Sequence, residues 1–189
     1  MRIRTTRSIA ILAAVVVAGG ITVASAGTAR ADVTPPTGTW SEIVAGYLDQ
    51  EACLDDPGGA DQVGDGLELW HCHGYDSRGS SQRWFFGRSN FLNLPANFFG
   101  IVSGGSHCLG VTDNAHSGER LLLVKCNPFG GVYWQVLSRN AYSGDPAFEL
   151  EYGGTGYCMT MPDWSGGNGE PVLLRPCQPG NGLQLWNIG

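Results

Sequence analysis

Six cysteines fall into three pairs spaced 19, 18 and 19 positions apart, and each pair opens and closes a similar phrase. Cys53-Leu54-Asp55 leads to Leu67-Glu68-Leu69-Trp70-His71-Cys72 and then to Gln82-Arg83-Trp84. Cys108-Leu109-Gly110 leads to Leu121-Leu122-Leu123-Val124-Lys125-Cys126 and Tyr133-Trp134. Cys158-Met159-Thr160 leads to Val172-Leu173-Leu174-Arg175-Pro176-Cys177 and Gln184-Leu185-Trp186. The closing tryptophans, 84, 134 and 186, lie 50 and 52 apart. A period of this kind means a supersecondary unit used three times, each copy completing the others' core. The repeats run near 40–89, 90–138 and 139–189.

The first 31 residues stand outside this pattern. Arg2, Arg4 and Arg7 precede an apolar run from Ile9 to Ala18, and Ala29-Arg30-Ala31 is a small-residue cleavage signature. Residues 1–31 therefore read as a secretory signal cut near Ala31, with Ala24-Ser25-Ala26 as a second possible site. The apolar run is too short for a membrane anchor, and no later stretch has the length to span a bilayer. Residues 32–39 read as a short extended leader. In a secreted chain six cysteines mean disulfides. Fifteen connectivities exist, and the repeat selects one local pair per copy: Cys53–Cys72, Cys108–Cys126 and Cys158–Cys177.

Four of the 11 basic residues, and none of the 17 acidic ones, lie in 1–31. Seven against 17 leaves residues 32–189 with a net charge of −10, and no Lys/Arg cluster offsets it. Phosphate backbones and anionic lipid need such clusters, so nucleic acid is excluded as a partner. Zinc is disfavoured because the cysteine spacings contain no C-x-x-C. Asp61 and Asp65 resemble part of a calcium loop that lacks its remaining ligands and its bidentate Glu. No motif calls for a metal or a cofactor. G-x-S-x-G and H-E-x-x-H are both absent, and no motif ties carboxylates and histidines into a catalytic set, so the chain reads as a non-enzyme.

With 29 glycines, and apolar runs cut short by Gly, Pro, Asn and Asp, the composition is all-β. In the strand before each second cysteine, Leu67 and Leu69, Leu121 and Leu123, and Val172 and Leu174 share one face, the expected core face. The other face carries Glu68 and Trp70, Leu122 and Val124, or Leu173 and Arg175. A common core with a diverged outer face implies a shared scaffold with a site in only some copies.

The registered Cys-Leu-Asp, aliphatic-x-aliphatic-Trp-x-Cys and Gln-x-Trp elements resemble the ricin-type lectins, the R-type β-trefoils. The resemblance covers nearly all of 40–189. It implies twelve strands in three pseudo-symmetric lobes, with the tryptophans packed between lobes. It also implies a shallow sugar pocket in each competent lobe. There an Asp after the first cysteine accepts from sugar hydroxyls and an aromatic two before the second cysteine forms a platform. The Gln of Gln-x-Trp and the polar residue before it complete the pocket. Lobe one keeps Asp55, Trp70 and Gln82, and departs at Glu68, where Gln is common, and at Ser81, where Asn is common. Lobe two has Gly110, Val124 and Val132 at the pocket positions; lobe three has Thr160 and Arg175 and keeps Gln184. The resemblance thus implies a carbohydrate partner of galactose type, held in lobe one by Asp55, Glu68, Trp70, Ser81 and Gln82. Read from the residues alone, Asp55 equally suits the organiser of the Asp55–Gly59 turn, and Trp70 a cover for a neighbouring loop. Leu122, Val124 and Trp164 mark a possible protein partner, or side chains covered by local loops.

Overall fold

The computed structural model describes residues 37–46, 52–73, 81–88, 98–112, 114–127, 132–142 and 145–188. The expected signal and most of the leader lie outside these residues, as does the boundary between repeats one and two. Thr37–Thr39, the end of the leader, form a turn rather than an extended strand. Gly38 takes φ 83° there and donates its N–H to Phe86 O at 3.1 Å.

Lobe one comprises β1 (Trp40–Ser41), β2 (Ile43–Ala45), β3 (Ala52–Asp55), β4 (Glu68–His71) and β5 (Trp84–Arg88). Lobe two comprises β6 (Phe98–Ser103), β7 (Cys108–Gly110), β8 (Leu122–Val124) and β9 (Trp134–Tyr142). Lobe three comprises β10 (Asp145–Tyr152), β11 (Tyr157–Thr160), β12 (Glu170–Pro171), β13 (Leu173–Pro176) and β14 (Trp186–Ile188). The 138/139 repeat boundary drawn from the sequence falls inside β9. The pairings β1–β5–β6–β9–β10–β14–β2 close a barrel, because β2 continues β1 beyond Glu42. The hairpins β3–β4, β7–β8 and β11–β13 cap it. The described residues form 14 segments where twelve strands were expected, and the difference has a physical cause. At Glu42 and at Val172 the chain switches partner strand, and the ladder is interrupted at each switch. The fold is an all-β trefoil.

The three lobes meet in a closed ring of backbone hydrogen bonds. Leu67 N–H donates to Leu121 O (2.8 Å), Leu121 N–H to Val172 O (2.9 Å), and Val172 N–H to Leu67 O (3.2 Å). A second ring surrounds it: Gly64 to Leu123, Gly118 to Leu174 and Gly169 to Leu69, at 2.7–2.9 Å. These three glycines have φ of 99°, 89° and 86°, which explains why each turn before the cysteine strand carries one. The six side chains assigned to the core face are all fully buried. So are the three closing tryptophans, each donating its indole N–H at 3.0 Å to the carbonyl one residue past its lobe's first cysteine: Leu54, Leu109 and Met159. Each indole thus buries a large apolar area with its polar atom satisfied.

The disulfides are Cys53–Cys72, Cys108–Cys126 and Cys158–Cys177, with Cα atoms 4.9–5.0 Å apart. Each closes a loop worth about 3 kcal/mol in the chain-entropy account.

Candidate functional site

In lobe one the β3–β4 register sets Cys53 opposite Trp70 and Asp55 opposite Glu68. Side chains directly opposite share a face, and the intervening Leu54 and Leu69 fill the core, so Asp55, Glu68 and Trp70 share the outer face. Asp55 is nearly buried, whereas Glu68 and Trp70 are half-buried. The Ser81 hydroxyl donates to Asp55 Oδ1 at 2.9 Å, and Ser81 O accepts Asp56 N–H at 2.9 Å, so the segment before β5 is fastened to the end of β3. Burial raises the Asp55 carboxyl above its usual range, opposed by hydrogen bonds from Ser81 and Gln82 and by the nearby His73. Burial also raises Glu68, reinforced by the Asp55 charge and opposed by Arg120.

Gln82 is fully buried and bridges the chain around Cys72. Its Nε2 donates to His71 O (3.1 Å) and its Oε1 accepts His73 N–H (2.9 Å). Gln184 does the same around Cys177, donating to Pro176 O (3.0 Å) and accepting Gln178 N–H (2.8 Å). The Gln of Gln-x-Trp therefore holds the hairpin end in both lobes that possess it, a role independent of any ligand.

Neighbouring lobes frame the site. Lobe three adds β12 to the free edge of β4, with Pro171 opposite Glu68, and Asn168 Oδ1 accepts His71 N–H at 2.8 Å. Lobe two sends Arg120 across to Gly66 O at 3.0 Å. The sequence offered no sign of these contacts, because each joins residues far apart in the chain.

The other lobes differ in kind. In lobe two, a Cβ on Gly110 would lie 2.9 Å from Val124 Cγ2, 3.0 Å from Val132 Cγ1 and 3.5 Å from the Tyr152 hydroxyl. The three replaced positions thus converge on one another and, with Tyr152, fill the place of a pocket. Val124 is accordingly buried, so of the two readings of its place, covered side chain or partner surface, the first holds. In lobe three, Thr160 is buried, donates to Cys158 O (2.8 Å) and accepts from Gln184 Nε2 (3.0 Å), so its hydroxyl is spent internally. Trp164 is 54% exposed.

The Asp55–Gly59 turn is organised by Asp56, not Asp55. Asp56 Oδ2 accepts Asp61 N–H (2.9 Å) and its carbonyl accepts Gly59 N–H (2.8 Å). Asp61 bonds the Ser103 hydroxyl and His107 Nδ1 of lobe two, and Asp65 accepts Gln62 N–H at 2.8 Å. The two acids of the calcium-like fragment are thereby committed to separate structural tasks.

The model of the ricin-type β-trefoil lectin domain matches residues 40–186. No curated protein sequence matches the chain. Among solved structures, the designed three-fold symmetric protein ThreeFoil superposes with a TM-score of 0.64 at 18% identity, covering 79% of this chain and 96% of its own. The Macrolepiota procera ricin B-like lectin in complex with lactose gives 0.63 at 20%, covering 82% and 98%. An exo-β-1,3-galactanase from Clostridium thermocellum gives 0.63 at 18%, covering 82% of this chain but 30% of the galactanase. At these identities the likeness is one of fold, whereas the family match, with lectins among the neighbours, supports a carbohydrate-binding role. The chain belongs to the ricin-type β-trefoil lectin domain family.

Proposed function

We propose that this protein is secreted, with residues 1–31 as its signal peptide, and binds carbohydrate without chemistry through a single pocket in lobe one. The observation that supports this is the contrast between lobes. Among the described residues, only lobe one sets a carboxylate, Asp55, and an aromatic ring, Trp70, on the same outward strand face. A pyranose needs both, an apolar surface for its C–H face and fixed acceptors for vicinal hydroxyls. Ser81 adds a hydroxyl that both donates and accepts. Gln82 acts behind them, holding the hairpin in place. Strand-borne groups lose little freedom on binding, so the pocket is preorganised. A shallow face binds weakly per site, and avidity then comes from dense glycans. The sugar is of galactose type, as the family resemblance implies and as the lactose bound to the Macrolepiota procera lectin suggests. Titration with lactose, followed by backbone amide shifts, is the test. Shifts confined to the surroundings of Asp55, Glu68, Trp70 and Ser81 are expected; shifts centred on lobes two or three would place the site elsewhere.

A second reading, action through protein contacts as a toxin subunit or adaptor, draws on the exposed indole of Trp164. It gains ground only if the folded protein binds no glycan.

A further inference from the structure

The lobe-one face holds two carboxylates that, among the described residues, have no ion-pair partner within contact. Asp55 and Glu68 stand directly opposite each other in the β3–β4 ladder, which puts their Cβ atoms about 5 Å apart. Like charges so placed repel, and Glu68 shows it: after burial, the Asp55 charge is the next cause raising its carboxyl. Two groups ease the pair without contacting it: Arg120 acts on Glu68 while its Nη2 donates to Gly66 O, and His73 acts on Asp55. Trp70 lies on the same face, next to Glu68 along β4.

Ionised carboxylates only accept hydrogen bonds. A neutral sugar supplies hydroxyl donors but no charge in contact with the pair, which Arg120 and His73 ease only from a distance. An ammonium group supplies donors and charge together, through charge-assisted hydrogen bonds to both carboxylates, while the indole adds cation–π attraction. Resting on the carbohydrate reading of lobe one, we propose that this site prefers an amino sugar bearing a free, protonated amine over the same sugar with an N-acetyl or hydroxyl group there.

The test uses the disulfide-bonded protein and calorimetric titration with glucosamine and galactosamine, each against its N-acetylated and 2-hydroxyl counterparts. The amines should bind about tenfold more tightly near neutral pH, as expected for one unit charge against a carboxylate pair of which one member is nearly buried and the other half-buried. The margin should shrink at high salt. It should fall on either side of neutrality, as acid protonates the carboxylates and as base neutralises the amine near pH ~8. Glu68→Gln should cut the margin to about twofold, a substitution of near-identical shape at a half-buried position, whereas Asp163→Asn, at an exposed acid in lobe three, should leave it intact. Equal binding of amine and neutral sugars would overturn the proposal while leaving the carbohydrate reading in place. Equally tight binding of trilysine would also overturn it, since the face would then read charge without the ring. Failure of every sugar to bind would sink the carbohydrate reading together with it.

Discussion

Asp56 is a carboxyl group placed where the fold disfavours charge, and Asp56→Asn should show it. One oxygen accepts Asp61 N–H, the other meets no partner among the described residues, and the residue is 2% exposed. Burial lifts its pKa from 3.8 to about 6, with the Asp61 N–H opposing and the charges of Asp65, Asp61 and Asp55 assisting. A shift of roughly two units corresponds to about 3 kcal/mol at most. The sign follows from proton counting: between 3.8 and about 6 the folded protein keeps a proton the unfolded chain has released. The stability linked to that proton is fully present below the unfolded value and is lost as the pH rises through about 6. Asn keeps the acceptor for Asp61 N–H but sets an amide where the second oxygen lacks a partner, which costs about 1 kcal/mol at any pH. The variant should therefore be about 1 kcal/mol less stable than wild type near pH ~4 and about 1–2 kcal/mol more stable near pH ~7. Urea unfolding followed by tryptophan fluorescence, disulfides intact, measures both. The difference between the two pH values isolates ionisation, because the amide penalty cancels. The same stability change at both would refute the argument.

Other consequences follow from the same geometry. Trp134→Phe should cost about 2–4 kcal/mol in unfolding experiments, since it leaves Leu109 O without its donor and opens space in the core. Gly110→Asp should not create a second sugar site; the new side chain meets Val124 and Val132, so melting temperature should drop with no change in glycan binding. Asp55→Asn should weaken glycan binding at least tenfold in a titration, because the acceptor facing vicinal hydroxyls loses its charge. Incubation with polysaccharides should release no reducing ends.

The sequence displayed the parts of this molecule that repeat. Leu67, Leu121 and Val172 recur at one distance from a cysteine because each occupies the same place in the ring on the pseudo-threefold axis. The disulfide pairing was legible for the same reason. What stayed hidden depends on where one lobe meets another. Asp61 had no task in the sequence beyond its place in an incomplete calcium-like fragment, and Ser103 and His107 of lobe two supply its partners. Val124 stood on the outer face with its cover undecided, because strand alternation is blind to Val132 and to Tyr152 of lobe three, which gather at the same place. Asp55 suited either a sugar acceptor or the organiser of the turn until the fold gave the turn to its neighbour Asp56. At the candidate site, the outward set Asp55, Glu68, Trp70 and Ser81 came from the motif. The inward turn of Gln82 and the framing by Arg120, Asn168 and Pro171 came from the fold.

The central claim, one sugar site in lobe one, is tested most directly on a glycan array with labelled wild type and Trp70→Ala side by side, both shown to be folded by circular dichroism. Trp70 is half-buried on the outer face, so its truncation leaves the core whole. The account predicts selective binding by wild type and a dark array for the variant. Equal signals from both, or a wild type that is folded and silent, would contradict it.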